Sequence, residues 1–113
     1  MRETKGSHKH SRHLQAFILL FLKEKPGNGA EIMARMRAEM PYPLADSAGL
    51  YRGLQSLEEC GAVAGRWDTL QPGAPRKVYT ITAAGADILR DFADDIKRRE
   101  ANFQFFLKRL GSK

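Results

Sequence analysis

Apolar residues fall into four stretches of helical spacing, with one stretch of alternating character between the third and the fourth. In the first, Arg12 to Lys25, residues Leu14, Phe17, Ile18, Leu20, Phe21 and Leu22 cover more than half of a helix circumference, so the helix needs cover on two sides. Pro26 and Gly27 end it, and Asn28 with Glu31 forms a capping-box pattern for the next helix, which lines Ile32, Met33, Met36 and Met40 along one face. Pro41 and Pro43 then break the chain. In the third stretch, from Asp46 to Gly61, Leu50, Leu54 and Leu57 recur at the spacing of one helical stripe, with Asp46 placed as N-cap and Gly61 as stop.

The segment after Gly61 changes period. Val63, Gly65 and Trp67 alternate with Ala62, Ala64 and Arg66, the broken segment Asp68 to Pro75 follows, and Lys77 to Ile81 completes a predicted hairpin. Thr82 caps a last helix from about Ala83 to Leu110, in which Leu89, Phe92, Ile96, Arg99, Phe103, Phe106 and Leu110 follow a 3,4 repeat, the spacing of a coiled-coil seam. A helix of this length spans ~42 Å, longer than a small core can cover. These elements predict an α+β, mostly α chain: a winged helix-turn-helix with a long C-terminal dimerisation helix. The expected divisions are a basic flexible arm at 1–12, the winged-helix domain at 13–82 and the dimerisation helix at 83–113.

Charge narrows the choice of partner. Lys and Arg number 19 against 13 Asp and Glu, a formal net charge of +6, which suits an anionic partner. The helix after Asp46 turns Ser47, Tyr51, Arg52, Gln55 and Ser56 away from its leucine stripe, a set of donors suited to phosphates and base edges. Ser47, Tyr51, Arg52 and Gln55 are therefore the candidate DNA contacts on the helix, and Arg76 and Lys77 those at the base of the hairpin. Tyr51 carries a second reading, in which its ring packs against the wing and only its hydroxyl meets a phosphate. No apolar run reaches the length that crosses a bilayer, and the single Cys60 excludes an internal disulfide, so a cytoplasmic location is expected. His8, His10 and His13 lack a fixed Cys or carboxylate partner, and no Ser/His/Asp or Cys/His arrangement appears. Neither a metal, nor a cofactor, nor an enzymatic activity is expected.

Two motifs give these features a family likeness. Leu50, Tyr51, Arg52, Leu54, Leu57, Glu58 and Gly61 fit a Leu-Tyr-Arg-x-Leu-x-x-Leu-Glu-x-x-Gly helix, and Pro75, Arg76, Lys77, Tyr79, Thr82 and Gly85 fit a Pro-Arg-Lys-x-Tyr-x-x-Thr-x-x-Gly wing. Together with Gly29, Glu31 and Ile32 they resemble the PadR family of bacterial transcriptional regulators, over about Leu14 to Leu89. The single C-terminal helix is similar to the family's short branch. Where the family usually has Pro-Gly-Thr before Leu-Tyr, this chain has Ser47, Ala48 and Gly49.

The resemblance implies a homodimeric, ligand-responsive repressor that binds a pseudo-palindromic double-stranded DNA operator. It also implies a dimer interface on the C-terminal helix and a small aromatic or lipophilic effector. The residues assigned to that interface are Phe17, Phe21, Leu89, Phe92, Ile96, Arg99, Phe103, Phe106 and Leu110. For Phe17, Phe21, Phe92, Ile96 and Phe103, plain dimer core and an effector pocket remain open alternatives, and Arg99 can pair with Asp95 or Glu100 of a partner, meet an acidic effector or snorkel to water. The competing functional class is a winged-helix module for protein–protein contact that never touches DNA. Steep salt dependence of DNA binding separates the two.

Overall fold

The computed structural model describes residues 2–42, 46–70 and 72–111, with side chains described from His13 onward. Met1 and Pro43, one of the two expected breakers, lie outside the described residues, as do the side chains of His8 and His10. The elements in order are α1 (Arg2–Glu24), β1 (Gly27–Asn28), α2 (Gly29–Glu39), α3 (Ser47–Glu59), β2 (Val63–Asp68), β3 (Arg76–Ile81) and α4 (Ala83–Leu110).

The helix ends follow the local chemistry of the sequence. Asn28 and Glu31 exchange hydrogen bonds, each side-chain oxygen accepting from the other's backbone N–H at 2.9 Å, so the capping box is complete. Asp46 accepts from the Gly49 N–H at 2.8 Å at the start of α3. At its end, Gly61 takes φ +83° and donates to the Glu58 carbonyl while Ala62 donates to that of Leu57, a Schellman closure that needs the left-handed residue.

Helix α1 is the hub. It packs against α2, α3, α4 and β3, and its Ile18, Leu19, Phe21 and Leu22 join Ile32, Met36, Leu50, Leu54 and Leu57 in one core. The protomer's own elements cover most of its wide apolar arc, leaving Leu20 39% exposed, and Phe21, expected at a dimer interface, is a core residue with 4% exposure. Phe92 is likewise buried, and Phe17 and Leu89 are half-buried against the same core. Periodicity identified these faces as needing cover but could not say which surface supplies it.

Two further differences concern backbone. The segment expected as an arm continues α1 back to Arg2. Its Arg, Glu and Lys residues propagate a helix already nucleated by the packed turns that follow, and only Gly6 opposes it. A third strand also joins the expected hairpin, because Gly27 and Asn28 pair antiparallel with Tyr79 and Val78, giving the sheet order β1-β3-β2. Two residues carry no alternation, so this strand exists only through its long-range partner.

Helix α4 starts at a tight junction. Thr82 accepts from the Gly85 N–H at 3.0 Å, its own N–H donates to the Ala62 carbonyl at 3.1 Å, and its hydroxyl lies 2.6 Å from the Gly61 carbonyl. A Cβ on Gly85 would stand 2.0 Å from the Ala62 oxygen, so only glycine permits this approach. Beyond it α4 leaves the core: Phe92 is 7% exposed, Phe103 62% and Leu110 71%. Gly111, at φ +81°, closes the helix.

Candidate nucleic-acid interface

Helix α3 divides cleanly into two faces. Leu50, Gly53, Leu54 and Leu57 are buried, while Ser47, Tyr51, Arg52, Gln55 and Ser56 are exposed on the other side. The four candidate contacts on α3 are thus brought together on one accessible surface. Arg52 has no hydrogen-bond or ion-pair partner among the described residues, which leaves its planar fork of donors available. Gln55 makes only a long 3.5 Å contact with Glu59, too weak to hold it.

Tyr51 is more constrained. Its ring lies against the start of α2, so close that a Cβ on Gly29 would meet Cε1 at 2.3 Å. The ring thus packs at the start of α2. Half of the side chain stays accessible, at 49% exposure. Gly29, noticed in the sequence only as part of a helix start, is what gives the ring its seat.

The wing supplies the second basic surface. In the β2–β3 register Asp68 stands opposite Arg76, Trp67 opposite Lys77, Arg66 opposite Val78 and Gly65 opposite Tyr79. Arg66 and Arg76 are exposed and unpaired among the described residues. Lys77 differs: its ammonium donates to Glu58 of α3 at 2.8 Å, and it stands 5.7 Å from the Trp67 ring centre and 5.8 Å from that of Tyr79. The hydrogen bond that Lys77 donates to Glu58 is the main cause raising the Lys77 pKa, against a smaller opposing effect of desolvation. Burial pushes the Tyr79 phenol up, opposed by the Lys77 charge. The ammonium expected to meet phosphate is therefore already occupied within the fold.

Sequence reasoning missed Glu58 and Arg35 as working side chains. Arg35 donates to the carbonyls of Phe21 at 2.6 Å and Lys25 at 3.0 Å, closing the end of α1 with a cation where the helix dipole favours one. No local signal marks either residue, because their partners lie 10 to 19 positions away. Arg99 pairs with Asp95 of its own helix at 2.8 Å, an i,i+4 contact. Among the described residues no group of His, Cys, Asp and Glu could hold a metal, and no helix is long and apolar enough to cross a membrane.

A helix with a buried leucine stripe and a polar outer face, preceded by a packed helix and followed by a basic hairpin that completes a three-stranded sheet, defines a winged helix-turn-helix protein. The chain belongs to the PadR-like family of transcriptional regulators, whose family model matches residues 18–91. That family consists of regulators rather than enzymes. Among solved structures, the chain is similar to a conserved protein of unknown function, TM0937, described as a potential transcriptional factor (34% identity, TM-score 0.67, covering 88% of this chain and 91% of that one). A PadR family transcription regulator from Clostridium difficile R20291 shares the fold at 21% identity and TM-score 0.72, over 84% of this chain and 98% of its own. Bacillus subtilis PadR, solved in complex with operator DNA, matches at 25% identity and TM-score 0.66, over 71% of this chain and 46% of its own. No curated protein sequence matches.

Proposed function

We propose that this protein is a sequence-specific DNA-binding regulator that acts as a homodimeric, ligand-responsive repressor. The observation that carries the reading is the outer face of α3, where Ser47, Tyr51, Arg52 and Gln55 stand exposed beside a wing bearing the unpaired Arg66 and Arg76. The Bacillus PadR complex with operator DNA supports it by analogy. In this mechanism α3 enters the major groove. Arg52 donates two hydrogen bonds to the O6 and N7 of a guanine, and Gln55 reads an adenine edge. The Tyr51 hydroxyl and Ser47 fix register on the backbone, and Arg66 and Arg76 neutralise flanking phosphates.

Dimerisation follows from the outer third of α4. Phe103, Phe106 and Leu110 lie beyond the reach of the protomer's core, and a second copy gives them cover while placing two α3 helices about 34 Å apart on a pseudo-palindrome. Because Phe21 and Phe92 are buried in the protomer, an aromatic or lipophilic effector has the exposed rings Phe103, Phe105 and Phe106 of α4 available to it. Such a ligand would act by changing how the two copies meet.

Selection of genomic fragments by the purified protein, at low and physiological salt, tests the reading. An enriched inverted repeat supports it. Binding blind to sequence at both salts overturns it, and no binding at either favours a docking module. With a site in hand, Arg52→Ala is expected to cost about 1–3 kcal/mol of specific affinity and to relax selection at one base pair, measured by competition against single-substituted operators.

A further inference from the structure

Among the described residues, one side-chain bridge of unusual construction joins the wing to α3. Lys77 starts on β3, crosses the face of β2 and reaches Glu58 in the last turn of α3 at 2.8 Å. It can do so because position 65, in its path, has no side chain. A Cβ there would stand 2.5 Å from Lys77 Cε, 3.0 Å from Glu58 Oε2 and 3.2 Å from the Tyr79 ring. Trp67 and Tyr79 flank the ammonium, so three neighbours hold one charge. Both partners are about 30% exposed, 29% for Lys77 and 31% for Glu58, a setting where an ion pair is screened less than at an open surface.

We infer that Glu58 and Lys77 form a positioning clamp that fixes the wing against α3, so that the pair governs operator affinity without either side chain touching DNA. Two facts favour this over a phosphate role for Lys77. Its charge is spent on Glu58, and a carboxylate beside a DNA-binding surface opposes the phosphates unless it does something else there. Arg66 and Arg76 flank this bridge on the same two strands, so the clamp sets where their charges stand relative to Arg52. The inference rests on the proposed DNA-binding function for its consequence, but the clamp itself is a property of the fold.

Glu58→Gln separates the alternatives by sign. It keeps the Lys77 charge and removes a negative one, so simple electrostatics predicts tighter binding with a steeper salt dependence. A broken clamp predicts binding weaker by roughly fivefold. Lys77→Met is expected to weaken binding by a similar factor, and the double variant Glu58→Gln/Lys77→Met is expected to be no worse than either single change, since both remove one device. In the absence of DNA, Glu58→Gln is expected to shift Trp67 emission and speed amide exchange over 63–68, because the wing loosens. Circular dichroism checks that each variant remains folded, and the charge swap Glu58→Lys/Lys77→Glu is expected to recover exchange protection and part of the affinity. Operator binding by Glu58→Gln equal to or tighter than the parent overturns the inference, as do additive losses in the double variant. If the parent binds no DNA, the function fails on its own account, while Trp67 emission and amide exchange still decide whether the clamp exists.

Discussion

Helices α3 and α4 carry the same kind of apolar stripe and meet opposite fates. In α3 the stripe ends inside the protomer, with Leu50 and Leu54 fully buried and Leu57 nearly so. In α4 it begins inside, at Phe92, and runs out into solvent at Phe103, Phe106 and Leu110. Spacing is therefore a statement about a face that needs cover and is silent on what covers it. The cover comes from tertiary geometry: α3 lies across α1 and α2, whereas α4 touches α1 at its root and then outruns a molecule only 29 Å and 27 Å across its shorter axes.

The comparison can be broken by substitutions that affect one helix and spare the other. Leu54→Ala leaves a cavity among Ile18, Leu50 and Leu57 and is expected to cost ~2–5 kcal/mol in urea unfolding. Thr82→Ala, at the root of α4, removes the N-cap and is expected to cost about 1–2 kcal/mol by the same measurement. Phe103→Glu is expected to change unfolding of the isolated protomer by less than ~0.5 kcal/mol, yet to drive the assembly to monomer in sedimentation at micromolar concentration. A dimer that survives would remove the outer third of α4 from the interface. The smallest effect belongs to Arg99→Ala, which loses an i,i+4 pair with Asp95 and is expected to cost roughly 0.3–0.5 kcal/mol in thermal unfolding.

Much of the fold was legible because its signals are local. The capping box at Asn28, the caps at Asp46 and Thr82, the closure at Gly61 and both long strands lie where residue chemistry puts them, within a residue or so. The missed elements depend on distance along the chain. Strand β1 owes its existence to β3, some fifty residues later. Phe21 and Phe92 lie in the protomer's own core, which spacing cannot foretell, because nothing in it distinguishes a protomer's own helix from a partner's. On the interface, the exposed face of α3 was readable from helical periodicity. The occupation of Lys77 was not, since it needs Glu58 and a side-chain-free Gly65 to meet across two elements.

The junction at Thr82 has a mechanical meaning. One threonine and the carbonyls of Gly61 and Ala62 tie together the end of α3, the root of the wing and the root of α4, with Gly85 pressed against the same backbone. The root of the long helix is thus stitched to both α3 and the wing. A tilt imposed at its far end, where the rings stand open, would pull on bonds that α3 and the wing share.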